Sequence, residues 1–367
     1  MVVAHVLTSL HVGGGERVAL DLAAGQRTLG HQVMVVSLSP PPDGPLDRAF
    51  RDVGAEVHRV AKGPGVDVTL PFRLAALFRR TGVSVAHLHN RLPLIYGAPA
   101  GRMAGAAVVM TRHGPGTNAS WQRRLLQGVG RLVHAYVAVS PEIEEHAREN
   151  GYCAPEKLSL IENGIDLDRF RVTAEQRVRA RSALGIPEGA WVMGSVGRIA
   201  TEKDYPFLVR AAAPLLGPET RLLIVGDGAE MGAVRAEVAA QKVEPFVVLP
   251  GASSDVPSHL AAMDLFVLSS RMEGMPLAVI EAMAARLPVV TTRVGGLPNL
   301  VEHGRTGYLV PSGDEAALRQ QLDQLRRDPE AARRLGATAQ EIARARYSRE
   351  TMVRRYLDLY VRAGARA

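Results

Sequence analysis

The chain alternates short runs rich in Val, Leu and Ile with longer amphipathic segments, and the alternation occurs in two successive series. Strand-length apolar runs separated by helical periods are typical of parallel strands joined by crossover helices. Two series predict an α/β chain of two doubly wound, Rossmann-like domains facing each other across a cleft, each with its ligand at the carboxyl ends of its strands. The predicted strands are 2–7, 32–38, 83–88, 107–111, 135–139 and 158–161 in the first series, and 191–196, 221–225, 246–249, 265–268, 289–292 and 308–310 in the second.

The strand pattern also predicts the domain boundaries. Between the two series, a short strand is followed by the polar turn 163–166 and then by a new amphipathic helix near Thr173. We therefore expect a first domain over 1–166 and a second over 167–348, with the segment 349–367 as a terminal addition. After Pro311 the strand pattern stops, and three helices are predicted, over 315–327, 329–346 and 349–362.

Composition agrees with a globular chain, since 47% of the residues are apolar and 22% are charged. Cys153 is the only cysteine, so the chain cannot form an internal disulfide, and a reducing compartment is expected. No uncharged stretch reaches the about 20 apolar residues that a membrane-spanning helix needs. A cytoplasmic protein is therefore expected.

The positive charge is concentrated at the front of the chain. Residues 1–135 hold 15 Lys and Arg against 7 Asp and Glu, a balance of +8, whereas the remaining residues hold 29 against 30. A basic first third indicates contact with something anionic: phosphate, nucleic acid or an acidic membrane surface. Charge alone does not separate these three partners.

The segment 269–286 contains two glutamates, Glu273 and Glu281, on either side of Pro276. Proline suits the first turn of a helix, so Glu273 is expected in the loop after a strand and Glu281 about one and a half turns inside the helix. Backbone N–H groups at the positive helix end suit an anionic or polyhydroxylated ligand. The alternative is that Glu281 is a capping or salt-bridging residue. The residues expected to present those N–H groups are Gly274, Met275 and Leu277.

Two further loops are expected at the same edge of the second sheet. Arg198 and Lys203 follow one predicted strand, and a guanidinium beside an ammonium suits a pyrophosphate whose charge grows during reaction. The triplet Gly226, Asp227 and Gly228 follows the next strand, where glycines allow close backbone approach to a ligand. Alternatively, the first loop is solvated surface and the second an ordinary strand-to-helix turn.

A glycine-rich turn, Gly13 to Gly15, follows the first strand and opens a helix. It differs from the dinucleotide-binding fingerprint, because the third glycine of that pattern would fall at Val18, and it lacks the lysine of a P-loop. The turn therefore favours a phosphate-binding loop over NAD binding or ATP hydrolysis.

Together these motifs resemble the retaining glycosyltransferases of the glycosyltransferase 4 family, whose two-domain architecture is called GT-B. The resemblance covers essentially the whole chain and lies in the segments 13–16, 197–203, 226–228 and 273–281, the last being the family's E-x7-E motif. It implies transfer of a sugar from a nucleotide-diphosphate sugar to an acceptor hydroxyl with retention of configuration. The acceptor would be a glycan or lipid-linked glycan of surface polysaccharide synthesis, and neither a metal nor another cofactor is expected.

The resemblance also implies a role for each domain. The first would bind the acceptor, the second would bind the donor, and the terminal helix in 349–367 would pack back on the first domain. A stripe of apolar residues on that helix suits such packing. The stripe consists of Met352, Val353, Tyr356, Leu357 and Tyr360.

The resemblance assigns the site residues as follows. Arg198 and Lys203 would stabilise the charge of the diphosphate leaving group, while Glu273 would hold hydroxyls of the donor sugar and Glu281 the ribose. His113, at the end of a first-domain strand, would face the donor sugar. Many family members have Phe-Gly after the first glutamate where this chain has Gly274-Met275, which alters the expected sugar selectivity. The remaining donor-binding residues are Gly13, Gly14, Gly15, Gly197, Gly226, Asp227, Gly228, Pro276 and Leu277.

Two segments of the basic first third, 71–80 and 120–133, combine aromatic and leucine side chains with arginines. This composition is typical of helices that lie on a membrane surface, so peripheral binding to the anionic inner face of the membrane is one interpretation. The other is that both are covering helices with their arginines in water. Nucleic acid is not expected, because no reading motif is present. The arginines are Arg73, Arg79, Arg80, Arg123, Arg124 and Arg131.

Two rival functions remain open at this point. A nucleotide-sugar epimerase of GT-B shape would use the same donor site without an acceptor. A membrane-binding or nucleic-acid-binding protein with an inactive cleft would show steeply salt-dependent binding and no donor turnover.

Overall fold

The computed structural model describes residues 1–42, 44–114 and 120–365, and the chain divides into two compact units. One unit comprises Met1–Ile165 together with Arg349–Ala367, and the other comprises Asp166–Ser348. The chain therefore leaves the first unit at Ile165, one residue before the predicted boundary, and returns to it at Arg349.

The first unit is built on a seven-stranded parallel sheet in the order β3-β2-β1-β4-β5-β6-β7. Its strands are β1 (Val2–Leu7), β2 (Gln32–Ser37), β3 (Glu56–Arg59), β4 (Val85–His89), β5 (Ala107–Arg112), β6 (Ala135–Ala138) and β7 (Leu158–Leu160). The helices between them are α1 (Gly14–Thr28), α2 (Leu46–Asp52), α3 (Leu70–Arg80), α4 (Arg91–Ala104), α5 (Ser120–Gly130) and α6 (Pro141–Glu149).

The second unit repeats this plan with a six-stranded parallel sheet in the order β10-β9-β8-β11-β12-β13. Its strands are β8 (Trp191–Val196), β9 (Thr220–Val225), β10 (Val247–Gly251), β11 (Leu265–Leu268), β12 (Val289–Thr292) and β13 (Gly307–Val310). Its helices are α7 (Ala174–Ala183), α8 (Tyr205–Ala212), α9 (Met231–Ala240), α10 (Val256–Ala262), α11 (Leu277–Ala284), α12 (Leu297–Leu300), α13 (Glu315–Arg327) and α14 (Pro329–Arg346).

Central strands of both sheets are buried on both faces. Every residue of β4, β5, β11 and β12 is buried, as expected where helices cover a parallel sheet on either side. All twelve predicted strands are present with ends within two residues of the prediction, and two doubly wound, Rossmann-like α/β domains are thus confirmed. β3 is not among the predicted strands; it is an edge strand with charged residues at both ends and no fully buried side chain.

The last helix, α15 (Arg349–Arg362), packs on α1 of the first unit. Their approach is close, because a Cβ added at Gly25 of α1 would lie 2.6 Å from Cγ2 of Val353. Four of the five residues in the predicted apolar stripe are buried, but Leu357 is only half-buried and Leu359 takes its place. Among the described residues, no helix is both long enough and apolar enough to cross a membrane.

Candidate active site

The strand order of the second sheet determines where a ligand can bind. Successive strands are added outward from β8 on one side and from β11 on the other, so the crevice between β8 and β11 is the topological switch point. The loop after β8 contains the predicted residues of 197–203, and the loop after β11 contains those of 269–276. Because parallel strands end at the same edge, the two loops are neighbours.

Lys203 and Glu273, one from each of these loops, form an ion pair in which Nζ lies 2.6 Å from Oε1. The same carboxylate oxygen accepts a 2.5 Å hydrogen bond from the hydroxyl of Ser270. The lysine side chain is 17% exposed and the glutamate side chain 8%. Taking two charges out of water is costly, and apolar residues often replace such pairs without loss of stability. An ion pair kept at the ligand-binding edge of a sheet is therefore a candidate functional group.

The loop after β8 is fastened to the loop after β11 by contacts that the sequence analysis did not anticipate. The hydroxyl of Ser269 donates to the backbone oxygen of Lys203 at 2.9 Å, and the N–H of Arg271 donates to the backbone oxygen of Glu202 at 2.8 Å. Nε of Arg271 also donates to the carboxylate of Asp204 at 2.6 Å. These bonds fix the backbone that carries Lys203, so the ammonium reaches Glu273 from a rigid loop.

Arg198 lies on the same loop as Lys203 but is not part of its ion pair. Its guanidinium donates to Glu202 at 2.5 Å, and the side chain is 71% exposed. Exposed pairs of this kind contribute about 0.2 to 1 kcal/mol. The structure therefore brings Lys203 and Glu273 together, while Arg198 remains a solvent-facing cation that could exchange Glu202 for an anionic ligand at little cost.

The glycines of the 226–228 turn have a structural explanation. The N–H of Ile199 donates to the backbone oxygen of Asp227 at 2.9 Å, which holds the two loops backbone against backbone. A Cβ at Gly226 would overlap the carbonyl of Gly197, and φ is 152° at Gly226 and 157° at Gly228, values that other residues rarely adopt. The exposed carboxylate of Asp227 accepts a 2.7 Å hydrogen bond from the N–H of Gly228.

The second glutamate of the motif lies on α11. That helix begins at Leu277, and Pro276 precedes it as the N-cap with φ −71° and ψ 119°, so the proline lies one position earlier than the predicted first turn. Glu281 is half-buried in the second turn. Met275 is buried, and the carbonyl of Gly274 accepts a 3.0 Å hydrogen bond from the N–H of Gly296.

In the first unit the switch point lies between β1 and β4. Gly13 is the N-cap of α1, as the glycine-rich turn predicts. A Cβ at Gly15 would lie 3.0 Å from Cδ2 of His113. The backbone N–H of His113 donates to Oδ1 of Asn90 at 3.0 Å. The structure therefore brings the glycine turn and His113, which follows β5, into contact at the carboxyl edge of this sheet.

His113, which is half-buried, is one end of a row of otherwise buried side chains, here termed the histidine chain, that comprises His113, His89, His5 and Gln26. Nε2 of His113 lies 3.0 Å from Nδ1 of His89, Nε2 of His89 lies 3.0 Å from Nδ1 of His5, and Nε2 of His5 lies 2.9 Å from Oε1 of Gln26. Burial lowers the pKa of His5 and of His113 to about 4 and that of His89 well below its usual value. All three imidazoles are therefore neutral near pH 7.

A second branch leads from Gln26 to the last helix. Nε2 of Gln26 donates to the hydroxyl of Tyr360 at 3.3 Å, and that hydroxyl lies 2.7 Å from Nδ1 of His87. Nε2 of His87 lies 2.7 Å from Oγ1 of Thr111, which in turn lies 3.0 Å from the hydroxyl of Tyr356. Through Tyr356 and Tyr360, α15 completes the polar interior of the first unit.

Three of these histidines, His5, His87 and His89, lie close enough together to suggest a metal site, since one ligand nitrogen from each lies within 4.8 Å of the others. Both ring nitrogens of each residue, however, already have a hydrogen-bond partner. A metal ion would have to displace these partners, so the donor set fits a hydrogen-bonded network better than a metal centre.

The two basic segments form α3 and α5, which both pack on α4, and the second ends at Gly130, earlier than the predicted 133. Phe72 and Trp121 are 66% and 64% exposed, whereas Phe78 is buried. Arg73 is paired with Asp67 at 2.6 Å, and Arg79 donates to the backbone oxygen of Met103. The exposed arginines of the two segments are Arg73, Arg79, Arg80, Arg123, Arg124 and Arg131.

Comparison with known proteins places each half of the chain in a known family. Residues 176–342 match the family described as glycosyl transferases group 1, and residues 12–169 match the family described as glycosyltransferase family 4. The first match lies within the second unit and the second match covers most of the first, and together they include the loops described above.

Among individual proteins, the chain is similar to the N-acetyl-alpha-D-glucosaminyl L-malate synthase of Bacillus anthracis, with 28% identity over 364 residues, 95% of this chain and 94% of that protein. It is 29% identical over 255 residues to the UDP-Gal:alpha-D-GlcNAc-diphosphoundecaprenol alpha-1,3-galactosyltransferase of Escherichia coli, covering 66% of each chain. Anabaena HepE, solved with UDP, has the same fold, with a TM-score of 0.88, 22% identity, and coverage of 98% of this chain and 99% of that one. The chain is therefore a glycosyltransferase, a member of the glycosyltransferase 4 family with the two Rossmann-like domains of the GT-B fold.

Proposed function

We propose that this glycosyltransferase moves a sugar from a nucleotide-diphosphate sugar to an acceptor hydroxyl with retention of anomeric configuration. The observation that supports this most is the buried Lys203–Glu273 pair at the switch point of the second sheet. It sets an ammonium beside a carboxylate where α/β sheets bind their ligands. A nucleotide-diphosphate sugar needs both, a cation for its phosphates and an acceptor for its hydroxyls.

The chemistry assigned to these groups follows from where charge develops. When the bond between the anomeric carbon and the phosphate oxygen breaks, the sugar becomes cationic and the nucleotide diphosphate gains negative charge. Lys203 and Arg198 stabilise that leaving group, Glu273 holds sugar hydroxyls, and Glu281 holds the ribose. Removing one preorganised donor of this kind typically costs about 2.7 to 4 kcal/mol of barrier.

Retention is proposed to follow a front-face route. A double displacement would need a carboxylate beneath the anomeric carbon, and the only buried carboxylate of the described site loops, Glu273, is engaged by Lys203 and Ser270. In the front-face route, the departing phosphate oxygen accepts the proton of the acceptor hydroxyl as the new glycosidic bond forms. The proton, the leaving group and the new bond then all lie on one face of the sugar.

The comparisons suggest which substrates to test first. HepE was solved with UDP-glucose as well as with UDP, and the Escherichia coli relative is described as using UDP-Gal and a diphosphoundecaprenol-linked acceptor. We propose a UDP-sugar as donor and a glycan or lipid-linked glycan of surface polysaccharide synthesis as acceptor, reached at the cytoplasmic face of the membrane.

A donor panel tests the proposal directly. UDP-, GDP- and ADP-sugars are screened by thermal shift, since a ligand at 100 times its dissociation constant adds roughly 2.7 kcal/mol of stability. The best donor is then incubated with and without acceptors, and the anomeric configuration of the product is read by NMR. Conversion of the donor without any acceptor would identify an epimerase instead, and an inverted product would contradict the front-face route.

Arg198 offers a sharp comparison within this assay. Because Arg198 is 71% exposed and bonded only to an exposed neighbour in its described contacts, Arg198→Ala should leave the unfolding midpoint almost unchanged. If the guanidinium binds the diphosphate, kcat should fall by about two orders of magnitude. Arg334→Ala is the matched control, because Arg334 also lies in the second unit and pairs with an exposed glutamate on its own helix. Equal activity of the two variants would remove Arg198 from the site.

We also propose that the reaction needs no metal ion. The leaving-group charge is met by Lys203 and Arg198, so a divalent cation has no required role in this scheme. One Asp-x-Asp triplet occurs in the sequence, from Asp166 to Asp168. Its second aspartate, Asp168, is exposed and forms an ion pair with the exposed Arg171. Turnover should therefore survive dialysis against EDTA; loss of turnover that Mg²⁺ or Mn²⁺ restores would contradict the proposal.

Peripheral membrane binding is proposed for the surface formed by α3 and α5. Phe72 and Trp121 project from it beside exposed arginines, which suits insertion at an anionic lipid surface. Liposomes with and without phosphatidylglycerol test this by co-sedimentation, with Trp121→Ser as the variant. Binding should require the anionic lipid and weaken in the variant; equal binding to neutral and anionic liposomes, or none to either, would end the proposal.

A further inference from the structure

The histidine chain has a direction that can be worked out by counting protons. Oε1 of Gln26 only accepts hydrogen bonds, so Nε2 of His5 must carry its proton. A neutral His5 then has a lone pair on Nδ1, which accepts from Nε2–H of His89. By the same step Nδ1 of His89 accepts from Nε2–H of His113, which leaves the lone pair of His113 on Nδ1.

The far end of the chain agrees with this direction. Nδ1 of His113 is buried and has no hydrogen-bond partner among residues 1–42, 44–114 and 120–365. Unpaired buried N–H groups are rarer in proteins than unpaired acceptors, so a lone pair at this position is the less costly arrangement. In the structure Nε2 of Gln26 donates to the hydroxyl of Tyr360 on the last helix, and Oε1 faces His5.

We propose that Gln26 is a positioning residue that, through His5 and His89, holds His113 in the tautomer with the proton on Nε2 and a hydrogen-bond-accepting Nδ1. The ligand of that nitrogen is a sugar hydroxyl, a part of the inference that rests on the proposed function. His113 then binds as a neutral acceptor, and it cannot donate from Nδ1 to the substrate. Gln26, whose amide bonds His5 and Tyr360 rather than His113, thus selects how the site histidine can act.

Three other arrangements of the same residues would look different. With the Gln26 amide reversed, every proton in the histidine chain would move to the opposite nitrogen and His113 would carry Nδ1–H. With a protonated imidazole, one histidine would donate from both nitrogens. With a metal bound by His5, His87 and His89, ring nitrogens now engaged in hydrogen bonds would become ligands.

Tautomers are read directly by two-bond ¹H–¹⁵N correlation NMR on the full chain labelled at its 11 histidines. Loss of a signal in His5→Asn, His89→Asn and His113→Asn assigns the three residues. We expect all three to show the Nε2–H pattern without any substrate. Nδ1–H on His113, a charged imidazole in the chain near neutral pH, or stoichiometric metal in the purified protein would each overturn the proposal.

Gln26→Met tests the positioning role, because methionine fills the space without an amide. It should leave His113 exchanging between tautomers, and kcat should fall by about twofold if the two directions become equally populated, with the donor KM changed little. Tyr356→Phe is the control, since this equally buried hydroxyl contacts Thr111 and not the histidine chain. It should leave the Nε2–H pattern of His113 intact.

If the Gln26→Met protein keeps the Nε2–H pattern on His113, the positioning role of Gln26 is overturned. If this variant does not fold, the wild-type spectrum still decides the direction of the hydrogen bonds in the histidine chain. Adding the UDP-sugar identified by the donor panel should shift the Nδ1 resonance of His113 as it accepts a hydrogen bond. If His113 shows the Nε2–H pattern but the protein turns over no sugar donor, the tautomer assignment is upheld and the proposed function is refuted.

Discussion

Replacing Lys203 with methionine keeps most of the side-chain volume and removes the charge that faces Glu273. The carboxylate, with a side chain 8% exposed, would keep the hydroxyl of Ser270 but lose its cation. Removing one partner of a buried pair costs 3 to 5 kcal/mol, and because the lysine is 17% exposed we expect about 2 to 4 kcal/mol of lost stability in the second unit.

The double variant separates stability from catalysis. Glu273→Gln removes the other charge, so Lys203→Met with Glu273→Gln leaves no unpaired ion, and stability should recover by about 1 to 3 kcal/mol relative to the sum of the single changes. Turnover should not recover. Each single change should lower kcat by about 10²- to 10³-fold if these groups act on the donor, and the double variant should remain at that level.

Urea denaturation of the wild type, the two single variants and the double variant measures their stability. Trp191 opens β8, so in a Trp121→Phe background its fluorescence reports on the second unit alone. Release of nucleotide diphosphate from the donor measures their turnover. If turnover returned together with stability in the double variant, the pair would be a structural feature, and the site would have to be sought elsewhere.

Three further predictions rest on the same geometry. Because the folded-state pKa of His5 and His113 is about 4, below the usual 6.5, the unfolded chain binds more protons between these values, so the first unit should lose stability as pH falls from 6.5 to 4. A flat profile in urea titrations of a Trp191→Phe protein, followed by Trp121 fluorescence, would contradict this. Gly15→Ala places a Cβ 3.0 Å from His113, so kcat should fall while the unfolding midpoint moves little, and an unchanged kcat would separate the glycine turn from the histidine. Gly226→Ala should cost about 1 to 3 kcal/mol of stability because its φ is 152° and Gly197 blocks the methyl group, whereas Gly232→Ala on α9 has open space and should be neutral or stabilising.

The sequence predicted the strands well, for a physical reason. Strands covered on both faces are almost continuously apolar, so runs such as 191–196 and 265–268 stand out from the amphipathic helices around them, and their bounds match the structure. β3 was missed because an edge strand is buried less, and its residues Glu56–Arg59 have no such run. An apolar pattern therefore indicates burial, and it indicates a strand only where that strand is also buried.

The site was predicted unevenly. Lys203 and Glu273 were both identified from loops at one sheet edge, but their direct ion pair and its third member, Ser270, depend on side-chain geometry that spacing does not fix. His113 was identified through the family resemblance, and its buried partners were not. The sequence does contain a signal for these partners, since His87 and His89 are two residues apart and so lie on the same face of β4, and His5 on β1 is opposite His87. That signal can be used only when the β1–β4 pairing is known.

The position of α15 affects the order in which the protein can fold. The hydroxyls of Tyr356 and Tyr360 complete the hydrogen bonding of Thr111 and His87 on the first sheet, yet the whole second unit lies between them and the rest of the first unit in the chain. During synthesis the second unit can close on its own residues as soon as Ser348 has emerged, whereas the first must wait with a partly solvated interior. The half made first by the ribosome is thus the half finished last.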